Sequence, residues 1–93
     1  MGRRQRPRPK RLAEKLRQVR ELLGLTQEQM ADRLKDVETP PQPGHVSEFE
    51  RGKREPSLLY LLAVARLAGV TMEVMVDDNQ NLPNRLPGRK KFG

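Results

Sequence analysis

The sequence predicts an all-α fold: a compact bundle of four to five helices carrying flexible basic tails. Apolar residues recur at helical spacing, helix start and stop residues flank those runs, and 93 residues allow one domain. Domain organisation follows the same marks. Residues 1–9 are expected to be a disordered basic arm, residues 10–78 the folded domain, and residues 79–93 a loose basic tail.

From Lys10 to Leu23 the residues Leu12, Leu16, Val19, Leu22 and Leu23 fall three and four apart, the pattern of an amphipathic helix. Gly24 supplies the left-handed residue that commonly ends one. Thr26-Gln27-Glu28-Gln29 fits a capping box, so a second helix starts there, buries Met30, Ala31 and Leu34, and ends near Lys35. Residues 36–44 carry three prolines and a glycine and read as a loop. A short third helix over 44–51 is stopped by Gly52. Pro56 and Ser57 open a fourth, which Gly69 closes.

The fourth helix is apolar nearly all round, which requires burial on several sides or a share in a dimer interface. Residues 70–76 have two readings. Thr71 can cap a short helix, whereas Val70, Met72, Val74 and Val76 alternate as a strand does; a helix is the expected form.

Composition narrows the function. With 34% apolar residues and three aromatic ones, Phe49, Tyr60 and Phe92, the core must be small and aliphatic, and oligomerisation is an expected aid to stability. The absence of cysteine removes disulfides, thiolate zinc sites and thiol nucleophiles, and suits a reducing compartment. No apolar run is long enough to span a membrane, and no apolar stretch follows the arginines as a secretory signal would require. His45 is the one histidine, with no ligand partner at suitable spacing, and no phosphate loop or nucleophile elbow is present. No enzyme, metal or cofactor is therefore expected. The Asp77-Asp78 pair is expected to cap or terminate the last element.

The formal net charge is +7, and it is unevenly placed. Residues 1–11 hold six basic side chains and no acid. Residues 79–93 hold four more, again without an acid, whereas residues 12–78 carry nine basic and twelve acidic groups. A basic chain points to a polyanion, most often nucleic acid, and here the attraction lies in the tails.

Residues 12–35, with LLGLTQEQMADRL, and residues 46–77, with VSEFERGKREPSLLYLLAVARLAGV, resemble the Cro/XRE-type helix-turn-helix family, the phage-repressor-like kind, over about two-thirds of the chain. The resemblance implies that the helix after Thr26 lies across the phosphate backbone, with Thr26 and Gln27 at phosphate, while the helix containing Val46–Arg51 enters the major groove. It implies a structural pair between Glu50 and Arg20, and backbone contacts from Arg51, Lys53 and Arg54.

Val46 and Phe49 are expected inward, leaving Gln42, Gly44, His45, Ser47 and Glu48 as candidates for base readout. Glu48 could accept from cytosine N4 or simply face solvent. The connection over 35–44 is longer than the usual four-residue turn, and Pro43 and Gly44 stand where the family carries base-reading glutamines. Either the third helix starts later, or Gln42 and the loop join the readout. Arg3, Arg4, Arg6 and Arg8 could enter a narrow minor groove, or serve as a solubilising tail.

By resemblance, the expected function is sequence-specific binding of double-stranded DNA by a transcriptional regulator, a repressor acting as a homodimer on an inverted repeat. An antitoxin with autorepressor activity, neutralising a toxin partner, and a protein-bridging module with a co-regulator are the alternatives. The expected location is the cytoplasm, either on a bacterial nucleoid or as a phage-encoded protein, with no membrane partner.

Overall fold

The computed structural model describes residues 9–37 and 42–87. The described residues form five helices, α1 (Leu12–Leu23), α2 (Gln27–Arg33), α3 (Pro43–Glu50), α4 (Leu58–Ala68) and α5 (Met72–Val76). Among them there is no strand, so the alternation at 70–76 is overruled: Thr71 caps α5 by accepting from the Val74 amide at 3.2 Å. Among the described residues no helix is long and apolar enough to cross a membrane. Arg3, Arg4, Arg6 and Arg8 lie outside the described residues, as does the end of the basic tail from 88.

Local chemistry sets the helix ends. At α2 the Gln29 amide donates to the Thr26 hydroxyl at 3.1 Å, and the Thr26 amide donates to Gln29 Oε1 at 2.9 Å, the reciprocal capping box expected there. Ser57 caps α4 through the Tyr60 amide at 3.1 Å. The third helix starts at Pro43, not at Gly44, because proline's fixed φ and missing N–H suit a first helical position. Its late start is thereby excluded, and Gln42 becomes the residue that flanks it.

The core joins one face of every helix. From α1 come Leu12, Leu16, Val19 and Leu23; from α2 and its end, Met30, Ala31 and Leu34; from α3, Val46 and Phe49; from α4, Tyr60, Leu61, Val64, Ala65 and Ala68; from α5, Met75. The Phe49 and Tyr60 rings lie 4.7 Å apart between centroids, tilted by 51°, and join α3 to α4. Burial pushes the Tyr60 phenol well above its ordinary range, with the nearby Glu50 charge adding to the shift. The fourth helix is buried on one face only. Its opposite side leaves Leu58 and Leu59 exposed, and a groove against α2 runs over Leu59, Leu62, Ala63 and Leu67.

The segment after α5 departs from expectation. Leu86 is fully buried in the core and Leu82 packs against it, so the folded unit runs past the boundary expected at 78, and residues 79–87 are not a loose tail. Polar composition hid this, because the two leucines, four residues apart, are the only apolar anchors there apart from Pro83 and Pro87.

Two polar groups secure this segment. Lys15 is fully buried and its amino group donates to the Val74 and Asp77 carbonyls at 2.8 and 2.7 Å, closing the open end of α5. Burial, reinforced by Arg11, pulls the Lys15 amine below its ordinary pKa, against the opposing pull of Asp78 and Asp77. Asp77 behaves as expected and closes the turn after α5, accepting from the Asn79 amide at 2.9 Å. Asp78 does not act on the last element. Its carboxylate accepts from the Lys10 and Arg11 amides at 2.9 and 3.0 Å, at the start of α1, which has no side-chain cap of its own. Those two amides hold the Asp78 carboxyl below the usual range.

Replacing Leu86 with alanine is expected to cost roughly 2–5 kcal/mol, the range for a leucine truncated in a core. Denaturant unfolding followed by circular dichroism checks this. An unchanged midpoint would mean that the segment contributes nothing to the core.

Candidate nucleic-acid interface

The surface expected to meet DNA is built on α2, α3 and the loop 51–56, and one polar cluster fixes these parts together. Arg20, on α1, donates from Nε to Glu50 Oε2 at 2.8 Å and from Nη2 to Glu50 Oε1 at 3.0 Å. This paired geometry matches the planar guanidinium to the carboxylate, and both side chains are largely shielded, at 16% and 5% exposure. The third guanidinium nitrogen, Nη1, donates to the Leu25 carbonyl at 2.9 Å in the turn between α1 and α2. Gln27, at the start of α2, donates to Glu50 Oε1 at 3.3 Å. Arg20 of α1 and Gln27 of α2 therefore converge on one carboxylate of α3, with the α1–α2 turn tied in through Arg20, and hydrogen bonding to Glu50 holds Arg20 still more firmly protonated.

Beyond Glu50 the chain turns sharply. Gly52 takes φ of 73°, a conformation that a side chain would strain, while its amide donates to the Phe49 carbonyl and the Lys53 amide donates to that of Glu48. The turn lies against the first turn of α1: a Cβ built on Gly52 would sit 3.8 Å from that of Ala13. Arg51, Lys53 and Arg54 are all exposed on this turn. Arg51 Nε reaches back to the Ser47 carbonyl at 3.4 Å, and Arg54 Nε pairs with Glu48 Oε1 at 2.6 Å.

The outer side of α3 carries the remaining candidates. Gln42, Pro43 and Gly44 are exposed at its start, and His45, Ser47 and Glu48 are half-buried. Val46 and Phe49 face the core. A Cβ at Gly44 would meet nothing within 4 Å, so this glycine leaves an open surface where a second backbone can approach closely. His45 Nδ1 accepts weakly from the Gln42 amide at 3.4 Å, which engages the imidazole with its own helix start. Glu48 points neither freely to solvent nor inward. Its pairing with Arg54 holds its carboxyl below the usual range and offsets one of the three cations of the loop.

Thr26 is exposed; its oxygen accepts from Gln29, and a hydroxyl in that role keeps a proton to donate. The structure thus brings Gln27, Glu50 and Arg20 into one cluster and sets Arg51, Lys53 and Arg54 beside it. Sequence reasoning missed Leu25 and the second role of Gln27. The Leu25 bond is to a backbone carbonyl, which no side-chain pattern reveals.

Comparison with known proteins identifies the family and the fold. The helix-turn-helix family of the Cro/C1 type matches residues 16–75, from the middle of α1 into α5. Among solved structures the chain is similar to the P22 c2 repressor, whose crystal structure was determined in complex with synthetic operator 9T in the presence of Tl+. The two share 19% identity with a TM-score of 0.62, over 72% of this chain and 94% of that one. No curated protein sequence matches.

Truncating either Arg20 or Glu50 to alanine should destabilise the fold by roughly 3–5 kcal/mol, because each leaves the other charge shielded and unpaired. Thermal melts of both variants and of the double variant measure the coupling. Unchanged stability in both single variants would remove the pair from the account.

Proposed function

The chain belongs to the helix-turn-helix family, and from that premise we propose that it is a sequence-specific double-stranded DNA-binding transcription regulator, a repressor acting as a homodimer on an inverted repeat. One observation carries the reading. The Arg20–Glu50–Gln27 cluster fixes the inner side of α3, while its outer side, from Gln42 and Gly44 to Arg51, stays open. A helix held rigidly and presented in this way suits a major groove, where specificity requires side chains at fixed positions against base edges.

In this reading Gln42 and Ser47 carry base contact, with the Gly44 backbone allowing α3 to lie close to the duplex. His45 is engaged in the helix start and contributes shape. Glu48 must leave Arg54 before it can accept from a cytosine, or it stays paired and orients Arg54. Thr26, Gln27, Arg51, Lys53 and Arg54 take the phosphates, with Gln27 doing so through the amide proton that Glu50 leaves free. Arg3, Arg4, Arg6 and Arg8 supply four of the six positive charges of residues 1–11, and a narrow minor groove attracts arginine in particular.

The outer face of α4 supports the dimer. Exposed Leu58 and Leu59 and the apolar groove beside them form a surface that a second copy can cover. Two copies double the contacts of an eight-residue recognition helix and read a two-fold operator. Repression then follows from occupancy of the operator.

Selection from randomised duplexes, followed by a salt titration of the recovered sequences, tests this. The expected result is an inverted repeat bound far more tightly than random duplex, with affinity falling as salt rises. Equal affinity for every sequence would rule out a sequence-specific regulator.

A further inference from the structure

Asp78 is the group that the function proposed above leaves unused. It lies 67 and 68 residues along the chain from the two amides that it holds, those of Arg11 and Lys10. Arg11 returns the contact, donating from Nη1 to the Asp78 carbonyl at 2.9 Å and to the Gln80 carbonyl at 3.5 Å. The start of α1 is thus held from two sides. On one side lies the turn 78–80. On the other, Pro9, Lys10 and Ala13 line a shallow groove with Phe49, Gly52 and Arg54.

This clamp determines where the arginine arm begins. Pro9, the first described residue and the one that follows Arg8 in sequence, lies beside the turn bearing Lys53 and Arg54. Arg3 stands six residues before Pro9 and Arg8 stands next to it, so these arginines reach at most about 20–22 Å from Pro9, less than one helical turn of a duplex, and the position of Pro9 decides which groove they can reach. An arm that starts elsewhere, or in no fixed direction, meets the DNA at a lower effective concentration.

We propose that Asp78 is a positioning residue for DNA binding: its carboxylate anchors the root of the basic arm beside the 51–56 turn, so that arm and α3 engage one duplex together. The inference rests on the DNA-binding reading. Asp78 itself touches no DNA; it acts through Lys10 and Arg11.

Binding of full-length protein to a duplex, measured by fluorescence anisotropy over a range of salt, tests it in four backgrounds: the parent, Asp78→Ala, the four-arginine variant R3A/R4A/R6A/R8A, and the combination. Asp78→Ala should weaken binding by about threefold or more and make the salt dependence shallower, because fewer arm arginines then neutralise phosphates. In the four-arginine background the same substitution should change neither quantity. Should Asp78→Ala not fold, Asp78→Asn keeps the shape and one acceptor oxygen, and should show a smaller effect of the same kind.

An equal loss in both backgrounds would reduce Asp78 to a stabilising residue and overturn the proposal, as would no loss in the parent. Unaltered binding by the four-arginine variant overturns it while leaving DNA binding by the domain intact. A parent that binds no duplex at low salt overturns the DNA-binding reading and the anchor with it.

Discussion

The Glu50 carboxylate is the point on which the rest of this structure depends. It ends α3, takes two hydrogen bonds from Arg20 and a third from Gln27, and through Arg20 reaches the carbonyl that turns α1 into α2. An eight-residue helix is too short to be stable by itself in water. Two apolar anchors, Val46 and Phe49, bury it, but apolar contact is non-directional and allows a helix to roll. The fork of Arg20 is directional. It fixes the rotation of α3 about its axis, and hence which side chains face outward. A recognition helix needs that property, since a small rotation would replace one set of base-facing residues with another.

A second constraint works from the opposite end of α1. The chain after α5 doubles back, drops Leu86 into the core, and spends Asp78 on the start of α1. Lys15 reinforces the closure from within by satisfying two carbonyls that α5 leaves open. These bonds link residues far apart in sequence, so they form only once the bundle has assembled. Their effect is to tie the turn 78–80 to the start of α1, whose Pro9 and Lys10 lie on their other side next to the turn that carries Lys53 and Arg54. The end of the chain therefore supports the surface proposed for DNA from behind, by holding the start of α1, without forming part of it.

How much of this was legible in the sequence depended on the range of the interaction. Gly24, Gly52 and Gly69 announced helix ends, and Thr26 with Gln29 announced a start, because each acts within a few residues of itself. The start of α3 was misplaced by one residue because Pro43 was read as loop, although proline belongs at a first helical position. The meeting of Arg20 with Glu50 came from resemblance; thirty residues separate them, and periodicity alone places neither beside the other. Lys15 left a signal that went unused. It lies in step with Leu12, Leu16 and Val19, on the face that α1 buries, where an unpartnered lysine would be costly. Asp78 left none, since its partners are backbone amides, and Leu86 was concealed by its polar neighbours.

Charge is distributed according to the same division of labour. Residues 12–78 are mildly acidic, and their cations beside α3 are partly offset, Arg54 by Glu48 and Arg20 by Glu50. In the proposed DNA-binding reading, long-range attraction is left to the basic terminal segments, and the domain surface is left to geometry. The central claim is that Glu50 fixes α3 as a rigid element. Native-state hydrogen exchange of the α3 amides in Glu50→Gln, which keeps the shape but removes the charge, tests it most directly. The account predicts that protection at Val46–Glu50 falls well below that of α1 and α4, as α3 loosens ahead of the core. Unchanged protection in α3, or an equal loss in every helix, would contradict it.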